Sequence, residues 1–240
     1  MRILVTNDDG LEAAQLVNLI QWCQKLGDVT TFVPKLEQSG KSHGFEIKRP
    51  IEVKQVQLAD DITVWAVDST PADCVRIAVL GLKMEFDLVV SGINRGFNLG
   101  ADMMYSGTVG AASEAVNLGM KAIALSTSLK YYDRATAHLD GIFEFVDTHK
   151  LLELNPIYNI NIPENPVGIK ITRQGGPYYS DKFPYIGNDL YKPTGYCVWE
   201  DREDETLDTD ATFHGYITVT PLTIDKTNHE VYKKINDLKE

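Results

Sequence analysis

Cysteine is scarce in this chain: Cys23, Cys74 and Cys197 are its only three. No CxxC pair is present, so neither a disulfide framework nor a thiolate zinc site is expected. Reduced thiols and a cytoplasmic protein are the expectation. Long apolar runs are also missing. No stretch approaches the roughly 20 residues of a membrane helix. The apolar run at the N-terminus meets Asp8 at once, too early for a signal peptide. No membrane partner is therefore expected. Cations are in deficit, with 23 Lys and Arg against 34 Asp and Glu and a net charge of −11. That balance argues against a nucleic acid polymer as partner, because attraction to a phosphate backbone needs positive charge. A small phosphorylated substrate remains admissible, since it needs only local cations or a metal. The GxGxxG dinucleotide fingerprint, the Walker loop and the GxSxG elbow are all absent. The five histidines form no metal set. Only His43 falls in a loop near candidate site residues, where a site role and a plain surface histidine both stay open.

What remains is an ordinary globular composition, 43% hydrophobic and 24% charged, in a chain long enough for a sizeable core. The first ten residues organise it. Ile3 to Val5 is a short apolar strand that runs directly into Asn7, Asp8, Asp9 and Gly10. In an open α/β sheet, ligands sit beyond the carboxyl ends of the strands. Two adjacent carboxylates there suit a hard cation that takes oxygen ligands, such as Mg²⁺ or Mn²⁺. The same aspartates also read as a cap for the following helix.

Apolar spacing predicts a helix over 11–26 and a second strand from Val29 to Val33, stopped by Pro34. A polar loop follows, holding Ser39, Gly40, Lys41, Ser42 and His43. An extended segment is expected over 45–56, and a strand over 63–67. Ser69-Thr70-Pro71 starts a helix by a hydroxyl cap and a proline at the first helical position. Asp87 to Val90 is a buried strand, and the loop Ser91–Gly100 follows it. Tyr105–Gly110 opens a small-residue helix. A strand over 121–125 and an amphipathic helix over 133–148 complete the pattern. Beyond 150, β-like runs lie among Pro- and Gly-rich loops and an acidic stretch, 200–210, before a terminal helix over 227–238. These elements predict an α/β fold: a Rossmann-like, doubly wound, mostly parallel sheet with a β-rich C-terminal extension. Residues 1–130 form the expected catalytic core. Residues 131–240 form a helix, a β-rich part with an exchanged arm, and a terminal helix used in dimerisation.

Three features converge at the carboxyl edge: the Asn7–Asp9 strand end, the Ser39 loop and the Ser91–Gly100 loop. An Asn carbonyl is a good hard-cation ligand that adds no charge. Asp8, Asp9, Ser39 and Asn94 would leave room for water and a phosphate oxygen. Asn94 and Asn98 equally read as turn-forming residues. Ser106, Gly107 and Thr108 at a helix start attract anions through free N–H groups and the helix dipole, or act as a simple cap. Glu114 reads as a solvated or capping carboxylate more readily than a catalytic one.

Met1–Gly10, Ser39-Gly40, Ser69–Cys74, Asp87–Gly100 and Tyr105–Glu114 together resemble the SurE family of survival-protein phosphatases. Thr209-Asp210 and Gly215–Leu222 extend the resemblance. It implies a nucleoside monophosphate phosphatase that needs one divalent metal ion per subunit. The implied ligands are Asp8, Asp9, Ser39 and Asn94, the same four that chemistry suggests. Asn98, Ser106, Gly107 and Thr108 would bind phosphate, and Asp8 or Asp9 would accept a proton from the attacking water. The resemblance also implies a homodimer or homotetramer built by exchange of C-terminal elements. Cleavage of 3′-monophosphates and short polyphosphate is a further expectation. A non-catalytic nucleotide-binding module with a vestigial metal site is the alternative. An aspartyl-phosphate mechanism fits less well, because its aspartates usually lie two apart and these are adjacent. The chain departs from the family at Leu11–Gln15, where a small residue and Pro-Gly usually stand, and over 176–210.

Overall fold

The computed structural model describes residues 1–238. β1 (Arg2–Thr6) buries Ile3, Leu4 and Val5 completely, as a strand covered on both faces must. α1 (Leu16–Gln24) leads to β2 (Asp28–Pro34), which lies parallel to β1. The helix begins five residues later than its apolar spacing suggests. The cause is the turn after β1: Asn7 Oδ1 accepts from Gly10 N–H and Asn7 Nδ2 donates to Gly10 O, both at 3.0 Å. Gly10 has φ +86° and packs on the Leu36 and Glu37 backbone, which holds the chain out of helix there.

β3 (Val53–Ala59) and β4 (Ile62–Val67) form an antiparallel pair at the sheet edge. α2 (Pro71–Arg76) starts on the Thr70 cap and continues from Ile77 to Gly81 as a wider helical turn. β5 (Leu88–Arg95) runs five residues past the apolar stretch, so Asn94 ends a strand rather than sitting in an irregular loop. The strand continues because it pairs again with β6 (Lys121–Thr127) beyond a register shift between Ser91 and Asn94. α3 (Gly107–Asn117) begins at Ser106, whose Oγ accepts from Val109 N–H. The helix expected over 133–148 divides into a tight turn over 132–138 and α4 (Leu139–Thr148).

α5 (Leu151–Leu154) precedes β7 (Ile157–Ile162) and β8 (Gly168–Ile171). An arm follows: β9 (Tyr179–Lys182), β10 (Tyr185–Gly187), β11 (Leu190–Tyr191) and β12 (Thr194–Cys197). α6 (Asp208–Phe213), unforeseen in the acidic stretch, leads to β13 (Tyr216–Pro221) and α7 (His229–Asp237). The central sheet runs β3-β4-β2-β1-β5-β6-β7-β13-β8, and the arm strands pair only among themselves. Thus β7, β13 and β8, all beyond residue 130, extend the sheet that β1 begins. Its pairings from β4 to β7 are parallel. The chain winds outward in opposite directions from β1 and β5, and a crevice opens at their carboxyl ends.

One face of the sheet packs Ile3, Val5, Val90 and Leu125 against α1 and α4. The other packs Leu4, Val89 and Ala124 against Cys74 and Val75 of α2 and Ala111, Ala112 and Ala115 of α3. Small residues on α3 let backbone approach. A Cβ on Gly110 would collide with the Ser42 carbonyl, so the Ser39–Gly44 loop lies directly on this helix. Gly110→Ala should therefore lift that loop and cost about 1–3 kcal/mol of stability. Urea denaturation would measure the loss, and trypsin should cleave faster after the exposed Lys41.

Candidate active site at the carboxyl edge of the sheet

β1 delivers Asp8 and Asp9 into the crevice, and two neighbouring segments grip them. The N-terminus of α3 holds Asp8: Thr108 N–H donates to Oδ2 at 3.1 Å and Thr108 Oγ1 donates to Oδ1 at 2.6 Å. Gly107 has to be glycine here, because a Cβ would stand 2.9 Å from that of Asp8. Burial pushes the Asp8 pKa up, and the Thr108 donors offset only part of this. Asp9 is pushed up to about 6 by burial first and by the Asp8 charge second. Its Oδ2 accepts from Arg95 N–H at 3.0 Å, which ties it to the end of β5.

The neutral candidates stand one residue from these ties. Gln38 N–H donates to Asp8 O at 2.7 Å, and Ser39 follows it. Ser39 is exposed, and its hydroxyl donates to Glu37 Oε1 at 2.6 Å rather than to either aspartate. Asn94 precedes Arg95. Its Nδ2 donates to Gly96 O at 2.7 Å, which leaves Oδ1 as the free acceptor end. Among the described residues no three His, Cys, Asp or Glu side chains cluster to hold a metal. A cation at Asp8 and Asp9 would therefore take its other protein ligands from neutral oxygens. The donor set fits a hard divalent ion: two crowded carboxylates, a hydroxyl and an amide oxygen with no competing partner.

The phosphate candidates divide. Asn98 is buried, and its Nδ2 donates to Ser126 Oγ at 2.8 Å, which leaves one amide hydrogen. Ser106 caps α3 through its oxygen lone pairs. Thr108 commits both of its donors to Asp8. The helix start thus already holds one anion, the Asp8 carboxylate. A cleft of about 610 Å³ opens beside Asp9, lined among others by Leu11, Lys35, Leu36, Arg95 and Tyr132.

His43 is exposed on one side and reaches the buried Glu114 with the other. Glu114 is buried, with Oε2 2.7 Å from His43 Nε2 and Oε1 accepting from Arg76 Nη1 at 2.8 Å. Burial alone would raise its pKa, but His43 and Arg76 outweigh that and hold it below the ordinary glutamate range. This clamp fastens the Ser39 loop to α2 and α3. Spacing did not reveal it, because residues 43, 76 and 114 meet only in the fold. Asn159 and Asn161 belong to the site's surroundings as well, and two asparagines in an apolar strand are their signal in the sequence.

The raised Asp9 pKa has a stability consequence. The metal-free folded protein holds a proton there up to about pH 6, while the unfolded chain releases it near pH 4. The folded state binds more protons in that window, so this group's contribution is present at low pH and is lost as pH rises through about 6. Asp9→Asn should therefore gain stability relative to the wild type as pH rises through about 6. Paired chemical denaturation of the metal-free proteins across that range would detect it.

Residues 3–181 match the family model described as survival protein SurE. The chain is 37% identical to the 5′-nucleotidase SurE of Petrotoga mobilis, over 96% of each chain. It is likewise 37% identical to the 5′-nucleotidase SurE of Pelotomaculum thermopropionicum, over 99% of this chain and 95% of that one. The crystal structure of the SurE protein from Aquifex aeolicus superposes with a TM-score of 0.73 at 32% identity, covering all of both chains. A family match across most of the chain, curated relatives spanning nearly all of it and a shared fold leave one assignment: the chain belongs to the SurE family.

Proposed function

We propose that this protein is a divalent-metal-dependent phosphatase that hydrolyses nucleoside 5′-monophosphates to nucleoside and phosphate. The observation that carries the proposal is the buried Asp8–Asp9 pair at the β1–β5 crevice, with a helix N-terminus and an asparagine loop around it. The curated relatives named 5′-nucleotidase SurE support the substrate class. Asp8, Asp9, Ser39 and Asn94 would hold one Mg²⁺ or Mn²⁺ per subunit. When bound, such an ion supplies Lewis-acid neutralisation of phosphate charge.

The chain's own groups supply the rest. Asn98 offers its remaining amide hydrogen to a phosphate oxygen. Ser106 offers its hydroxyl hydrogen, and the first turn of α3 its positive end. Thr108, whose two donors are taken by Asp8, orients that carboxylate beside the phosphate-binding end. Water attacks phosphorus, the ester P–O bond breaks and the nucleoside oxygen leaves with the bonding pair. Asp8 or Asp9 accepts the water proton. The cleft beside Asp9 is of a size that accommodates a nucleoside. Cleavage of 3′-monophosphates and short polyphosphate at the same site belongs to the proposal. So does a cytoplasmic setting. Among the described residues no helix is long and apolar enough to cross a membrane.

Assembly as a homodimer or homotetramer is proposed on the C-terminal elements. The arm exposes Phe183, Tyr185, Ile186 and Tyr191, and α7 exposes Val231, Tyr232 and Ile235. Such apolar surface suits exchange between subunits.

The deciding experiment is phosphate release from 5′- and 3′-nucleotides and polyphosphate, with EDTA and with Mn²⁺ restored. Release from 5′-monophosphates should vanish with EDTA and return with Mn²⁺. Binding of AMP without any release would instead identify a regulatory module. Asp9→Asn should lower Mn²⁺-supported turnover by on the order of 100-fold or more, since changes one shell further out already cost about 10–100-fold. Near-normal turnover of that variant would sink the assignment.

A further inference from the structure

β7 is covered on both faces, and strands of that kind normally read as unbroken apolar runs. Its sequence alternates instead. Tyr158, Ile160 and Ile162 join the core on the α1 face, while Asn159 and Asn161 share the opposite face and are fully buried. A buried amide is costly unless it is hydrogen-bonded. The hydrogen bonds of these two converge on one residue. Asn161 Oδ1 accepts from Asn98 N–H at 2.9 Å, and Asn161 Nδ2 donates to Asn98 O at 3.0 Å. Asn159 Nδ2 donates to the same carbonyl at 2.8 Å.

Asn161 thus pairs with Asn98 through both of its backbone polar groups, as a neighbouring strand would. Ser126, which lies opposite Asn161 in the β6–β7 register, accepts from Asn98 Nδ2 at 2.8 Å. That bond sets the side-chain rotamer and therefore the direction of the second amide hydrogen. Asn159 gains less for itself. Its Oδ1 has no partner among the described residues, and its Nδ2 otherwise meets only Met103 Sδ at 2.9 Å, a weak acceptor. An apolar residue at 159 would remove a buried unpaired acceptor. Stability therefore does not explain that asparagine, whereas its hold on Asn98 does.

We propose that Asn159, Asn161 and Ser126 are positioning residues for phosphate binding. They fix the backbone and the rotamer of Asn98 so that its free amide hydrogen meets a phosphate oxygen. The proposal rests on the phosphatase function above and adds the residues that hold its phosphate donor in place. None of the three belongs to the metal-ligand set, so metal and phosphate affinities should separate when they are changed.

The test uses Asn161→Ala and Asn159→Leu in the full chain. KM, kcat and inhibition by inorganic phosphate are read from turnover of AMP. Calorimetry reads phosphate binding directly, with Mn²⁺ present, and Mn²⁺ binding alone. Asn161→Ala should raise KM and weaken phosphate binding about 10-fold, the effect of one lost charge-assisted hydrogen bond. The fall in kcat should be smaller, and Mn²⁺ affinity should stay within about twofold of wild type. Asn159→Leu should melt at or above the wild-type temperature and still bind phosphate more weakly, a combination that a merely structural role does not produce. Unchanged phosphate binding in both variants overturns the proposal. Mn²⁺ affinity falling in step with phosphate affinity also overturns it, as does failure of both variants to fold. A wild-type protein that binds phosphate but releases none from any nucleotide would sink the phosphatase function and leave this positioning role standing.

Discussion

Two negative charges side by side at the end of a buried strand are the constraint around which this molecule is built. Asp8 and Asp9 cannot both ionise freely where burial raises each pKa and the charge of one opposes the other. The fold answers from two sides. Thr108 on α3 supplies neutral donors to Asp8, and the β5 backbone supplies one to Asp9. No lysine or arginine side chain forms an ion pair with either aspartate among the described residues. The pair is therefore held in geometry without being neutralised, which is the electrostatic condition a divalent ion relieves.

The same economy of charge recurs around the crevice. Asp208 is fully buried and accepts from Gly100 N–H at 3.0 Å and Gly175 N–H at 2.7 Å, joining the asparagine loop to the start of the arm. Asp210 is buried and accepts from Trp199 Nε1 at 2.9 Å and Arg202 N–H at 3.0 Å. These carboxylates organise backbone rather than face solvent. Loops are held here by buried acceptors that bind their amides, because glycine-rich segments bring few side chains of their own to pack.

Stability and site geometry pull apart at several positions. Thr6 Oγ1, Ser91 Oγ and Asn159 Oδ1 are buried without partners among the described residues, and all three belong to strands that lead to the crevice. Polar atoms in such places raise the energy of the folded state. The apolar packing of both sheet faces compensates for them. The Glu114 clamp has the opposite character: it is fully paired, and it carries the Ser39 loop on α2 and α3. Rigid support and unpaired polar atoms therefore lie on the same sheet edge.

Local sequence by itself determined a great deal. Strand β1, the Thr70 cap of α2, the Ser106 cap of α3 and strand β13 follow from short-range pattern, because capping and apolar alternation are local physics. Asp8, Asp9 and Asn94 were legible as one group, since residues at strand ends in a doubly wound sheet share one edge. Other features were decided only in three dimensions. Apolar spacing could not see that Asn7 and Gly10 delay α1, nor that β6 pairing draws Asn94 into β5. The acidic run 200–210 shows no helix by composition, yet Asp208 and Asp210 turn inward and accept from the N–H groups of Gly100, Gly175 and Trp199. His43, Arg76 and Glu114 are separated from one another by tens of residues, as Asn98 is from Asn159 and Asn161. Their partnerships are long-range hydrogen bonds, and only the packed sheet and helices bring the partners within reach.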